Sequence, residues 1–342
     1  MKTRGMLPAL LAAALLALAA PFAARAQEPF FAGKRITILV ATGAGGDHDV
    51  YGRLLARHLG KHVPGNPGVV VQNMPGANGI TAGNFAANSG ARDGSLVLLA
   101  TQNLPMTQAL GASDLRFDLA NFSAIGNMLF ANTVAFAWRG TGVRTLGDAK
   151  TRELLLGSTA PNSLGAVHAA LMNTVLGTKF RIVNGYKSAQ EIDLAIERGE
   201  VNARAAVPWA AIKSMHPDWL ARPDIDILVQ AGLAKERELP DTPLLVDLGP
   251  TAEDRQLLAF FSSIAAVGRP FFTPPGVPAD RVETLRRAFD AAMADPDLLA
   301  DAARENLDVS PLPGVKLQQV VRDLMATDAA LVKRARDIAG AN

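Results

Sequence analysis

The chain has 342 residues, 49% of them hydrophobic, and it contains no cysteine. Disulfides, thiol catalysis, thiolate metal sites and a lipidated N-terminal cysteine are therefore excluded, and the fold must be stabilised by its hydrophobic core. The formal net charge is only +2, which gives no reason to expect nucleic acid or an anionic membrane as a partner.

The first 26 residues have the pattern of a secretory signal peptide. Lys2 and Arg4 precede a short apolar run, and Ala24-Arg25-Ala26 supplies a small-x-small cleavage site before Gln27. Cleavage removes three of the 34 basic residues and leaves 31 against 32 acidic ones, a formal charge of −1. The sequence thus predicts an exported, periplasmic protein whose mature chain of 316 residues is long enough for two domains.

Apolar runs alternate with helical patterns along the mature chain. The first unit has predicted strands at Arg35–Val40, Val69–Val71 and Leu96–Ala100, with predicted helices beginning near Val50 and Ala82. The second unit has predicted strands at Val134–Trp138, Glu153–Gly157, Phe180–Val183 and Ile225–Val229, with predicted helices at Leu164–Leu176 and Ser188–Arg198. Arg269–Pro278 is predicted to be a stiff connector, followed by an amphipathic helix over Ala279–Ala294. This alternation predicts an α/β fold with mostly parallel, doubly wound sheets.

The glycine-rich turn after the first strand, in "ITILVATGAGGDHDVYGR", does not fit nucleotide binding. A dinucleotide fingerprint requires a third glycine where His48 stands, and an acidic residue after the second strand, where the chain has Gln72 and Asn73. A P-loop is excluded because no Gly-Lys-Ser/Thr follows.

Metal binding and hydrolysis are alternatives that the sequence does not exclude, but it contains no complete motif for either. His58 and His62 have the spacing of helical zinc ligands, yet the glutamate of a zincin pair is missing. Asp47, His48 and Asp49 are adjacent residues, so at most two of them could share one ion. No G-x-S-x-G elbow is present for a serine hydrolase.

The remaining interpretation of these turns is anion binding by backbone groups. A glycine-rich turn that leads into a helix leaves N–H groups unpaired, and the helix dipole adds positive potential there. One such turn precedes Val50, one precedes Thr81, and a Ser/Thr-rich one precedes Leu164 in the second unit. Because ligands bind at the carboxyl ends of strands, matching turns in two units favour a shared cleft. Taken singly, each turn is better explained as a tight loop with a helix cap.

Several segments resemble the substrate-binding proteins of tripartite tricarboxylate transporters, the Bug family. These segments are "ITILVATGAGGDHDVYGRLLARHL", "VVVQNMPGANG", "DGSLVLLA", "GSTAPNS", "AQEIDLAIERGEVNAR", "ELPDTPLL" and "PFFTPPGVPADRVETLRRAF". They follow the family's order over nearly the whole mature chain.

The resemblance implies a two-lobed type II periplasmic-binding-protein fold, the Venus flytrap, which closes on a small solute. One lobe would comprise residues 27–128 and 261–342, and the other residues 129–260. The implied function is capture of a small organic acid in the interlobe cleft and its delivery to a membrane permease. The chain is expected to be a non-enzymatic monomer with no cofactor, no metal site and no nucleic-acid partner.

In the family, ligand carboxylates are held largely by main-chain N–H groups and ordered waters of two loops. Carried over to this chain, the ligand-binding residues would be Thr42, Gly43, Ala44, Gly45, Gly46, Asp47 and Asp49 in the first loop, and Ser158, Thr159, Asn162 and Ser163 in the second. From their positions after predicted strands or their charge, Asn103, Tyr186 and Arg204 are further candidates.

Asp47 departs from the family pattern, in which many members have glycine at this position. A carboxylate there disfavours a highly charged ligand such as citrate and suits one with an amine or hydroxyl near its acid group. Asp49 matches the family aspartate that begins the helix and is equally explained as a helix cap. Two alternatives for the whole chain remain: an adaptor that presents its ligand to a sensor, and a periplasmic hydrolase or metal-binding protein.

Overall fold

The computed structural model describes residues 28–109, 111, 114–130, 132–161, 163–232, 234–263 and 267–340. The predicted signal peptide and the candidate ligand residue Asn162 therefore lie outside the described residues. The strands are β1 Arg35–Val40, β2 Gly68–Asn73, β3 Leu96–Leu99, β4 Ser123–Asn127, β5 Thr133–Trp138, β6 Leu154–Ser158, β7 Phe180–Asn184, β8 Ala203–Pro208, β9 Ile225–Ala231, β10 Pro270–Thr273 and β11 Leu312–Pro313.

The helices among the described residues cover both faces of two sheets. They are α1 Asp47–Leu59, α2 Ile80–Ser89, α3 Leu104–Ala109, α4 Leu164–Leu176, α5 Ala189–Glu197, α6 Trp209–Met215, α7 Pro217–Ala221, α8 Ala252–Ser263, α9 Ala279–Met293, α10 Pro296–Arg304, α11 Gly314–Met325 and α12 Ala329–Ala339. Within the described part of the chain, none of them is both long enough and apolar enough to cross a membrane.

The first sheet has the strand order β11-β4-β10-β3-β1-β2. β1 pairs in parallel with β2 and β3, so the carboxyl ends of all three strands meet at one edge, where Val40 stands opposite Asn73 and Leu99. Successive residues of β1 enter cores on opposite faces: Ile38 packs into one and Leu39 into the other. Helices therefore bury both faces, as a doubly wound sheet requires.

The second sheet repeats this architecture with the order β7-β6-β8-β5-β9. β6 is parallel to β7 and β8, whereas β5 runs antiparallel to β8 and β9. Ala135 and Phe136 of β5 again enter different cores. The predicted α/β class with two doubly wound units is confirmed, with one interior antiparallel strand in each sheet.

Residues 270–273 differ from the prediction, because they form strand β10 inside the first sheet rather than a connector. Phe271 and Phe272 are fully buried on opposite faces of that sheet. Pro270 is the first residue of the strand, a position where proline is tolerated in a sheet. The prolines on both sides of this short apolar run concealed a strand that is buried on both faces.

The chain passes from the first sheet to the second after β4 and returns between α8 and β10. The C-terminal helix α12 packs against α4 and α8, and its Ala335 and Ala339 join a core of the second sheet. The boundaries of the two lobes at 128/129 and 260/261 stay a prediction.

Candidate functional site

A cavity of about 340 Å³ lies between the two sheets and is lined from both sides. It contacts the first residue of α1, the segment after β3 and the residue before β10 on one side, and α4, α6, β8 and α8 on the other. Its lining includes Asp47, Gln102 and Arg269 on the first side, and Leu164, His168 and Phe261 on the second.

The loop that enters α1 is held in place by Asp49, which is 2% exposed. Its carboxylate accepts hydrogen bonds from the Gly45 N–H (2.8 Å), from Asn73 Nδ2 (2.9 Å) and from Arg53 Nε (2.9 Å). Gly45 adopts a φ of +77°, which favours glycine. Asp49 is the third residue of the helix and bonds backwards to the loop, an arrangement related to a capping box.

Asp49 is expected to contribute to folding stability in a pH-dependent way. Burial opposes its ionisation, but the hydrogen bonds from Arg53, Gly45 and Asn73 outweigh burial and lower the pKa of Asp49 below its ordinary value. A carboxylate with a lowered pKa in the folded state stabilises the fold above its unfolded pKa of about 3.9 and loses that effect as the pH falls through the folded value.

We therefore expect Asp49→Asn to lower the free energy of unfolding by about 2 kcal/mol at pH 7. Urea denaturation of both proteins at pH 7 and at pH 3 measures the difference, which should shrink at the lower pH. A difference of equal size at both values would contradict the role assigned to the ionised carboxylate.

Asp47 is the first residue of α1 and forms an ion pair with Arg269 Nη2. The two partners differ in environment, since the side chain of Asp47 is 61% exposed and that of Arg269 only 8%. The helix is capped by Gly46, which has no side chain to accept from the first N–H groups of α1. The helix dipole thus adds positive potential beside Arg269.

The guanidinium of Arg269 is anchored within the first lobe. Nη1 donates to the Gly268 carbonyl (2.6 Å) and to Gln102 Oε1 (3.4 Å), and the guanidinium carbon lies 5.1 Å from the centre of the Tyr51 ring. Nε is buried and has no hydrogen-bond partner among the described residues. Burial lowers the pKa of Arg269 to about 10, so the side chain is charged at neutral pH. Its Nε–Nη2 edge, which carboxylates bind in a bidentate manner, is therefore only half occupied.

The second lobe supplies neutral and apolar walls. His168 of α4 is 5% exposed, lines the cavity, and has its ring 6.3 Å from that of Phe261. Burial lowers the pKa of His168 to about 4, so the imidazole is neutral at pH 7. Thr133 also lines the cavity, and its buried Oγ1 has no partner in the described part of the chain. Thr133 therefore has unused hydrogen-bonding capacity beside a wall that includes the apolar side chains of Leu164 and Phe261.

The serine-rich loop of the second unit lies beside the cavity, but its serine hydroxyl groups are engaged in hydrogen bonds. Ser158 Oγ and Ser163 Oγ are 2.5 Å apart, and Ser163 caps α4 by accepting from the Ala166 N–H. Thr159 is exposed. Among the described residues from Ser158 to Leu164, the cavity is lined by Leu164, the first helical residue after this loop. Both predicted loops therefore lead to the cleft, each through the first residue of its helix.

The other predicted residues of the first loop lie outside this cavity. Gly43, Ala44, Gly45 and Gly46 are exposed, and Thr42 is half-buried, with Oγ1 lacking a partner among the described residues. Asn103 follows the cavity residue Gln102, and its buried Oδ1 is likewise unpaired among the described residues.

Tyr186 and Arg204 also lie elsewhere. Tyr186 packs at the edge of a core of the second sheet, and its N–H donates to the Ser158 carbonyl at 3.4 Å. Arg204 forms an ion pair with the buried Asp193, which also contacts His216 Nε2 at 2.9 Å. Of the predicted ligand residues that the structure describes, Asp47 alone lines the cavity, and the ligand contacts of the whole set stay a prediction.

His58 and His62, which have the spacing of zinc ligands, lie against carboxylates of helix α10 and of its N-cap residue Asp295. His58 Nε2 lies 2.8 Å from Asp301 Oδ2, and His62 Nε2 lies 2.9 Å from Asp295 Oδ2. In the part of the chain that the structure describes, no three or more His, Asp or Glu side chains form a group suited to holding a metal ion.

Comparison with known proteins gives no matching family model. The chain is 26% identical over 298 residues to a UPF0065 protein of Bordetella bronchiseptica, covering 84% of this chain and 80% of the relative. Among solved structures, a TctC solute-binding protein from Polaromonas is similar with a TM-score of 0.72 at 21% identity, covering 89% of this chain and 98% of that one.

Two further structures share the fold. The periplasmic binding protein BugD has a TM-score of 0.57 at 17% identity, covering 90% of this chain and 98% of its own. An R. palustris protein solved with adipate has a TM-score of 0.58 at 20% identity, covering 90% and 97%. The resemblance predicted from the sequence is confirmed: this chain has the two-lobed α/β fold of the TctC and Bug solute-binding proteins.

Proposed function

We propose that this protein binds a small organic acid in the cleft between its lobes and delivers it, after export to the periplasm, to a tripartite tricarboxylate-type permease. The observation that carries the proposal is the buried guanidinium of Arg269, which lines the interlobe cavity beside the N-terminus of α1. A buried arginine with a half-used edge is suited to a carboxylate. The similar R. palustris protein was solved with adipate, a small organic acid.

The cavity is suited to a ligand with one acid group and a short apolar body. Leu164, Phe261 and Leu307 form apolar parts of its wall, while Arg269 is the only cation among the described lining residues. A volume of about 340 Å³ lies at the lower end of the range typical of small-molecule sites. Binding followed by lobe closure would present the loaded protein to its permease.

Calorimetric titration of the mature protein, unfolded and refolded to remove bound solutes, with mono-, di- and tricarboxylates tests the binding step. We expect saturable binding of at least one acid with one ligand per chain. The absence of binding across the panel, with a protein whose melting shows that it has refolded, would contradict the proposed function.

A further inference from the structure

We propose that the cleft selects a zwitterion of the amino-acid type, whose carboxylate binds Arg269 and whose ammonium group binds Asp47. The inference deepens the proposed function and rests on it. The supporting observation is that two oppositely charged side chains line one cavity: the buried Arg269 and the exposed Asp47, which already contact each other.

The charge of the cavity wall disfavours a dicarboxylate. Asp47 and Asp308 are the anionic lining residues in the described part of the chain, and Arg269 is the single cationic one. His168 adds no charge at pH 7 because burial lowers its pKa to about 4. The dipole of α1 contributes roughly half a positive charge, so the wall is close to neutral or slightly negative. Each ligand carboxylate beyond the first would meet no unpaired cation.

Asp47 is placed to accept from a ligand. Its side chain is 61% exposed and contacts Arg269 through Nη2, whereas the neighbouring Nε remains without a partner among the described residues. A ligand carboxylate on the Nε–Nη2 edge would share the guanidinium with Asp47 or displace it. In both cases the Asp47 carboxylate lies next to the ligand's acid group, where an ammonium group would neutralise it.

The contact between Asp47 and Arg269 has a second explanation. Asp47 would then only neutralise Arg269 in the empty protein, and it would compete with every ligand acid for the guanidinium. The two explanations predict opposite effects of removing the charge. If Asp47 recognises an ammonium group, Asp47→Asn weakens binding of amino acids alone. If Asp47 is a competitor, the same change strengthens binding of every acid.

Matched sets of ligands distinguish these outcomes. One set is leucine, 4-methylpentanoate and isobutylmalonate, which carry ammonium, hydrogen and carboxylate on the same carbon. The second set is 4-aminobutanoate, butanoate and glutarate, in which the two polar groups are further apart. Each is titrated by calorimetry into the wild-type protein and Asp47→Asn, alongside the carboxylate panel described above.

In one of the two sets, we expect the ammonium-bearing member to bind more tightly than the other two members. Asp47→Asn should weaken the binding of that member about 10-fold, while it changes the affinity of the matching monocarboxylate by less than about 3-fold. Asp280→Asn is the control, since Asp280 is an exposed first-turn aspartate of α9 outside the cavity. It should leave all affinities unchanged.

Tighter binding of the dicarboxylate or monocarboxylate member would overturn the inference, as would equal weakening or general strengthening of all members by Asp47→Asn. Binding of a panel acid without binding of either amino acid would also overturn it, while leaving the proposed function intact. If no acid binds at all, the proposed function itself fails.

Discussion

Replacing Arg269 with glutamine is expected to weaken binding of the organic acid about 100-fold or more, which corresponds to roughly 3 kcal/mol. Glutamine retains a hydrogen-bond donor but removes the charge and the bidentate Nε–Nη2 edge. The side chain of Arg269 is only 8% exposed, and no other described lining residue of the cavity supplies a positive side chain. Titration calorimetry with the tightest ligand of the wild-type protein measures the loss.

The effect on folding should be smaller than the effect on binding. Asp47 is largely exposed, so water can solvate it once Arg269 is gone. Arg286→Gln is the matched control, because Arg286 donates to the Ala124 carbonyl at 2.8 Å in the same lobe and does not line the cavity. Arg286→Gln should bind as the wild-type protein does. Equal losses in both variants would show that binding depends on general stability rather than on Arg269.

Replacing Asp193 with alanine is expected to lower the free energy of unfolding by about 3–5 kcal/mol and Tm by on the order of 10 °C. The side chain of Asp193 is 5% exposed and contacts both Arg204 and His216, whose ring stacks on Trp219 at 3.8 Å. The change leaves the guanidinium of Arg204, whose side chain is only 14% exposed, without the Asp193 carboxylate. Urea denaturation and thermal melting measure the loss.

This prediction separates two roles for Arg204, which the sequence nominated as a ligand residue. If Arg204 is structural, Asp193→Ala lowers stability while the folded protein keeps its affinity for the ligand. Asp218→Ala is the control, since Asp218 pairs with Arg222 at a site where both side chains are more than half exposed. It should cost less than about 1 kcal/mol. A folded Asp193→Ala protein that had lost its affinity would instead support a ligand role for Arg204.

The strands and helices that the sequence predicted best are those with a clear hydrophobic period. β1 and α1 were recognised because an apolar run ends in glycines and then changes to a helical spacing. β10 was missed because a four-residue strand between prolines has no period to detect. Its burial follows from packing between β3 and β4, which are distant in the sequence.

The sequence predicted that two βα loops meet at one cleft, but it gave no indication that Arg269 lines the cavity. The sequence placed two βα loops at one cleft, and the first helical residues after those loops, Asp47 and Leu164, do line it. Arg269 gave no signal, because it is held by contacts with Gln102 and Asn127, which lie in separate segments of the chain. If the Pro-Phe-Phe-Thr segment had been recognised as a buried strand, the arginine directly before it would have indicated a buried cation.

The central claim is that a ligand carboxylate binds Arg269 between the lobes. A crystal structure of the protein with the acid that binds tightest in calorimetry tests it most directly. The account predicts a carboxylate oxygen within hydrogen-bond distance of Arg269 Nε or Nη2, with Leu164 and Phe261 against the rest of the ligand. A ligand held elsewhere, with the Asp47–Arg269 pair unchanged and the cavity unoccupied, would contradict it.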